Sequence, residues 1–298
     1  MMPDKLHDKC AVIGVFGVSP ATDFLTVAGY RLQHRGQESF KTCTTDGKRL
    51  FTRGGMGTVA EVTKRRRLHD MPGHAGIAHG RYGTRGRSTY RDAQPLTDTK
   101  NAVAHNGQIA NYALLRARMQ EDGVNFSTGV DTEVPFRRWA ACDSDDLWER
   151  LRSTFDGVAP SYSMLFLTKD ALVAIRDPCG VKPLSLFETD GGFMVASETI
   201  ASQGLDAKII GDLGAGEAAV FTENGMERRQ VLPARHLCQC IFEHIYFAHP
   251  SSFLFGSDVT VGEVRKEFGR ISARNYPVDA DVAVLCPTLE TMAHWDTR

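Results

Sequence analysis

Cys10 stands where a polar stretch, residues 1–9, meets an unbroken apolar run, residues 11–18. Removal of the first nine residues would place this thiol and a free α-amine on one residue. Such an amine has a pKa near ~7.7–8.0, against ~10.4 for a lysine, so it can accept a proton near neutral pH. A nucleophile that carries its own base is one solution to activating a side chain. Taken alone, Cys10 reads better as the first residue of a buried strand, because unpaired cysteine is among the most buried residue types.

Four polar islands beside apolar runs change that reading. They are QHRGQES at 33–39, HGRYGT at 79–84, AHNGQ at 104–108 and DTE at 131–133. Arg81 offers a planar fork for a carboxylate, and Asp131 an acceptor for an ammonium group. The Asn106 side-chain NH2 and the Gly107 backbone N–H can stabilise a tetrahedral oxyanion, glycine permitting close approach of the backbone. Each has a plainer alternative: Asn106-Gly107 is a common turn dipeptide, Asp131 an N-cap, Arg81 a surface ion-pair partner. With Cys10 they form the parts needed to hydrolyse the amide of a small zwitterionic amino acid.

The elements that must position these groups are mostly strands. Residues 11–18 read as a buried strand, and Ser19-Pro20 as an N-cap with proline at N1 opening a helix that Gly36 stops. Hairpins are predicted around Asp46-Gly47, Lys169-Asp170 and Asp190-Gly191-Gly192. Short strands near 74–78 and 101–104 precede helices at 112–119, 132–141 and 145–155. The basic run 64–67 reads as a solvated loop. Strands at the two ends with helices between predict a layered α+β sandwich rather than a βαβ repeat.

The pattern changes after Arg235. Residues 240–247 are apolar and strand-like, 260–275 form a helix opened by a Thr-Val-Gly-Glu capping box, and 279–285 start another strand. This predicts a new α/β unit. Its apolar strand at 241–247 would leave an exposed edge prone to self-association.

With 298 residues, 42% hydrophobic and 24% charged, the chain has the make-up of a globular protein with a sizeable core. A net charge of -1 gives no reason to expect nucleic acid as a partner. No apolar stretch approaches the ~20 residues of a membrane span. Seven scattered cysteines do not form a disulfide framework, which predicts a reducing compartment, the cytoplasm.

The order Cys10, LQHRGQES (32–39), HGRYGT (79–84), AHNGQIANY (104–112) and DTEV (131–134) resembles a class II glutamine amidotransferase domain. That resemblance implies the N-terminal-nucleophile fold, a four-layer αββα sandwich. Within the class, LQHRGQES, RDPCGVKPL (176–184), ASET (196–199) and CIFEHIYFAHPSS (240–252) resemble the amidophosphoribosyltransferase family. Members make phosphoribosylamine from glutamine and phosphoribosyl pyrophosphate in purine synthesis. The resemblance implies a leader at 1–9, a glutaminase domain at 10–235, and the start of a phosphoribosyltransferase-like α/β domain at 236–298. It further implies Cys10 as nucleophile with its α-amine as base, and Asn106 and Gly107 as the oxyanion hole. Arg35 and Gly36 would line the glutamine site, Arg81 and Thr84 would bind its carboxylate end, and Asp131 its ammonium. Cys240 matches the first of four iron–sulfur ligands in cluster-containing members, and Mg2+ would serve the transferase reaction; no metal is expected for the glutaminase half. A homo-oligomer is implied.

The departures are specific. Ala11 follows the nucleophile where glycine is usual, Phe40-Lys41 replaces a small residue and glycine, and Arg85 replaces a small residue, threonine or histidine. Lys182 stands for arginine in the RDP-x-G-x-RPL pattern. The acidic strand end and phosphate loop of a phosphoribosyltransferase have no match, so the chain reads as a glutaminase half that ends early in its second domain. The rivals are a stand-alone glutaminase feeding a partner, and a non-catalytic paralogue.

Overall fold

The computed structural model describes residues 10–82 and 89–279. In chain order the elements begin with β1 (Ala11–Phe16), α1 (Ala21–Arg31), β2 (Ser39–Thr45), β3 (Leu50–Met56), α2 (Val59–Arg66) and β4 (Ala75–Arg81). Then come β5 (Leu96–Thr97), β6 (Ala102–Gly107), α3 (Tyr112–Glu121), α4 (Glu133–Ala141) and α5 (Leu147–Phe155). The hairpin of β7 (Tyr162–Leu167) and β8 (Leu172–Arg176) is followed by that of β9 (Ser185–Thr189) and β10 (Gly192–Ala196). Last are β11 (Ala207–Asp212), β12 (Glu217–Thr222), β13 (Gly225–Gln230) and α6 (Val261–Asn275).

Two antiparallel sheets result, in the orders β11-β9-β10-β1-β4-β2-β3 and β13-β12-β8-β7-β6-β5. Alternation along each strand decides which layer a side chain joins. In β1, Val12 and Phe16 point between the sheets, where they meet Leu165, Leu167, Leu172 and Ala174 of β7 and β8. Ile13 and Val15 point outward onto Leu25 and Ala28 of α1. In β7, Met164 and Phe166 point the other way, onto Trp139, Leu151 and Phe155 of α4 and α5. Both faces of the central strands are thus covered, which is why they read as continuous apolar runs. The layers are helix, sheet, sheet, helix: the four-layer αββα sandwich.

Four local expectations are corrected. Residues 240–247 form no strand; Cys240–Phe242 lead into a π-helical turn, Glu243–Phe247. A helical turn buries Glu243 and Phe247 on one side while leaving Ile241 and Tyr246 exposed, and the buried Glu243 carboxylate pairs with Arg35. The exposed apolar strand edge is therefore absent. The basic run 64–67 is not a loop but the end of α2. That helix starts with a complete Thr58–Glu61 capping box, and its C-terminal carbonyls favour positive charge. Pro20, in extended conformation, stands before α1 rather than within it. The capping box at Thr260–Glu263 is present as read, and α6 follows it. The leader and most of the strand proposed at 279–285 lie outside the described residues. No described helix is long and apolar enough to cross a membrane.

Candidate active site

The ends of several strands converge at Cys10. β4 runs beside β1 with Gly80 opposite Ala11, and β2 runs beside β4 with Ser39 opposite Arg81. A 3-10 turn, Gln33–Arg35, then carries the chain into β2 through Gly36. A Cβ on Gly36 would fall 2.4 Å from the Gly80 carbonyl, so only glycine lets this turn lie on β4. Glu38 N–H donates to the Arg81 carbonyl at 3.0 Å, closing the same corner. The Cys10 thiol lies 3.8 Å from the Tyr82 carbonyl oxygen.

Arg35 is fully buried beneath Cys10. Its Nε donates to the Cys10 carbonyl at 3.0 Å. Its Nη1 donates to Glu198 at 2.6 Å, and Nη1 and Nη2 together grip the Glu243 carboxylate at 2.8 and 3.0 Å. Burial alone would lower the Arg35 pKa; Glu243 and Glu198 reverse this and hold it above the ordinary arginine value. For Glu198 burial would raise the pKa, but Arg35 and His34 hold it well below the usual carboxylate range. Glu198 also accepts from the His249 N–H and the Ser252 hydroxyl at 2.8 and 2.7 Å. Arg35 thus spends its guanidinium on the Cys10 carbonyl and two carboxylates.

The second sheet contributes from the end of β6. His79 Nε2 lies 3.0 Å from the His105 carbonyl oxygen and ties β4 of one sheet to β6 of the other. The next two residues are Asn106 and Gly107. The Asn106 amide is completely buried, and neither its nitrogen nor its oxygen has a hydrogen-bond partner among the described residues. Gly107 has φ +137°, and a Cβ there would meet the Ser161 carbonyl at 2.5 Å, so no other residue fits without strain.

Asp131 sits just before α4. Its Oδ2 accepts the Ile109 N–H at 2.8 Å and its Oδ1 the Thr132 N–H at 2.9 Å, with His105 Nδ1 3.7 Å away. Burial would raise its pKa; His105 and these N–H groups keep it below the ordinary aspartate value, so it is ionised at neutral pH. Gln94 links this corner to β6, donating to Thr132 Oγ1 and accepting the His105 N–H. Arg81 donates through Nη1 to the Asp92 carbonyl, and its Nε has no partner among the described residues. Thr84 and Arg85 lie outside the described residues. Of the departures, Phe40 is buried in the outer core against α1, and the half-buried Lys41 donates to the Ala93 carbonyl at 3.3 Å.

Glu198, Glu243, Gln94 and His79 were not singled out from the sequence. One signal was present: Glu243 is the lone acid inside the apolar stretch CIFEHIYF. Lys182, noted only as a departure, is buried with its Nζ 3.4 Å from Glu243 and 4.8 Å from the Phe247 ring centre. No group of three or more His, Cys, Asp or Glu among the described residues could hold a metal ion. The Cys240 sulfur lies 4.0 Å from the Lys182 ammonium.

Residues 84–202 match the family model described as a glutamine amidotransferase domain. Amidophosphoribosyltransferase 2, chloroplastic, of Arabidopsis thaliana is 38% identical over 290 residues, covering 95% of this chain and 51% of that protein. The chain groups with the amidophosphoribosyltransferases. The amidophosphoribosyltransferase of Archaeoglobus fulgidus is 34% identical, with 93% and 62% covered. Among solved structures, the glutamine phosphoribosylpyrophosphate amidotransferase of B. subtilis superposes with a TM-score of 0.85 at 30% identity, covering 91% of this chain and 60% of that one. The chain thus spans about half to three-fifths of the length of these amidophosphoribosyltransferase relatives.

Proposed function

We propose that this chain hydrolyses the side-chain amide of glutamine, as the glutaminase part of an amidophosphoribosyltransferase. The reading rests most on Asn106, a fully buried amide with no partner among the described residues, at the β6 end that His79 ties to the sheet bearing Cys10. A buried amide costs free energy unless it is hydrogen-bonded, so an unused one at a strand end tied to the Cys10-bearing sheet fits a site built for a ligand's oxygen.

In the proposed reaction the Cys10 thiol gives its proton to the Cys10 α-amine, which is available once residues 1–9 are removed. The sulfur attacks the amide carbon, and the oxyanion takes hydrogen bonds from the Asn106 NH2 and Gly107 N–H. Ammonia leaves with a proton returned by the amine, and water hydrolyses the thioester. Asp131, ionised and held by two backbone N–H groups, would receive the substrate ammonium; Arg81 and Thr84 would receive its carboxylate. Arg35 and Gly36 would shape the pocket from behind, through Cys10 and β4.

By analogy with the relatives' names, the ammonia would be captured by phosphoribosyl pyrophosphate with Mg2+, in a protein that supplies a complete transferase domain. A cluster at Cys240 is not part of the proposal. A cytoplasmic location and a homo-oligomer rest on composition and on family resemblance. The test is release of glutamate and ammonia from glutamine by purified protein whose mass begins at Cys10, with Cys10→Ala as the blank. Absence of turnover in correctly processed protein would overturn the reading.

A further inference from the structure

We propose that Glu243 is a positioning residue for the Cys10 nucleophile, acting through the rigid guanidinium of Arg35. The inference rests on the glutaminase reading. The planar fork of Arg35 fixes direction at two edges. Nη1 and Nη2 meet both oxygens of Glu243, while Nε meets the Cys10 carbonyl at 3.0 Å. A rotation of the carboxylate is therefore passed to the main chain of the nucleophile.

Glu243 itself is set from outside the sandwich. Its turn is held by Arg265 of α6, whose Nε donates to the His244 carbonyl at 2.6 Å and whose Nη2 donates to the Ala248 carbonyl at 2.8 Å. The order of contact is α6, turn, Glu243, Arg35, Cys10. The arrangement is also costly for mere cohesion. Arg35, Lys182, Glu198 and Glu243 are all buried, and buried ion pairs are often matched or bettered in stability by apolar residues of similar volume. What apolar packing could not reproduce is the fixed orientation at Cys10.

The test compares Glu243→Gln, Glu243→Asp and the double change Glu243→Gln with Lys182→Met in the full chain. The double change removes one charge of each sign, so it should restore melting temperature lost in the single variant. All three should lower kcat by about 10- to 100-fold, the scale of a small misplacement of reacting atoms. KM for glutamine should stay within about twofold, because Asp131 and Arg81 are untouched. Amide hydrogen exchange should rise at residues 11–13 but not in β7. Recovery of kcat along with melting temperature in the double variant, or full activity in Glu243→Asp, would show a purely structural role. If the parent protein itself turns over no glutamine, the glutaminase reading fails. Exchange at 11–13 then still decides the positioning role, an unchanged pattern overturning it.

Discussion

Ser197 holds Val12 by both of its backbone polar groups: the Ser197 hydroxyl accepts the Val12 N–H at 3.0 Å, and the Ser197 N–H donates to the Val12 carbonyl at 3.1 Å. The β1–β10 pairing register ends one residue away, at Ile13 opposite Ala196, so Ser197 extends the ladder toward Cys10. Ser197→Ala would leave a buried N–H without its acceptor. The expected loss is about 1–3 kcal/mol, to be read from denaturant midpoints at constant m-value.

A glutamine-like electrophile should label Cys10 and spare Cys43. Burial pushes the Cys43 thiol up to about 11, so almost none of it is thiolate at neutral pH. Peptide mass mapping after labelling decides the matter; modification of Cys43 or Cys179 instead of Cys10 would mean that the nucleophile is misassigned.

Asn106→Ala and Asp131→Asn should separate kinetically. Loss of one oxyanion donor is expected to lower kcat by ~10²–10³-fold with little change in KM. Asp131→Asn removes the charge proposed to receive the substrate ammonium and should act mainly on KM. Steady-state kinetics with glutamine test the split, and identical phenotypes would refute the division of roles.

His79 predicts a loss of stability in acid. Burial, with Arg81 close by, lowers its pKa to about 3 from an ordinary 6.5. Between those values the unfolded chain binds a proton that the folded chain does not. The stabilisation is therefore complete above about pH 6.5 and is lost as pH falls toward about 3. His79→Gln should flatten this part of the stability–pH curve, measured by urea unfolding at several pH values. An unchanged acid slope would mean that His79 is not buried as a neutral ring.

Much of the frame can be read without coordinates because its signals are local. β1, β7 and β8 announce themselves as apolar runs between turn residues, and the Thr260–Glu263 capping box fixes where α6 begins. Cys10, Asn106, Gly107 and Asp131, whose roles are proposed, stand out in the sequence only in combination, because each alone has an ordinary reading as a strand start, a turn dipeptide or an N-cap. Residues 240–247 defeat such reasoning. Their apolar content suits a strand, while their conformation follows from Glu243 meeting an arginine 208 positions away. The same separation hides the part played by Arg35, whose partners come from three distant stretches of chain. The basic run after Thr63 misleads more simply, since a charged face and a loop look alike until the cap at Thr58 is recognised.

The mutual dependence of Glu198 and Glu243 bears on how such a protein could be recombined. A gene junction placed near residue 235 would follow the change in composition, yet it would strip Arg35 of its bidentate acid. It would also strip Glu198 of the His249 amide and Ser252 hydroxyl. Two buried ions would then face each other with half their partners gone. A glutaminase passed between fusion partners must therefore travel with the stretch through Ser252, or inherit an equivalent acid from its new neighbour.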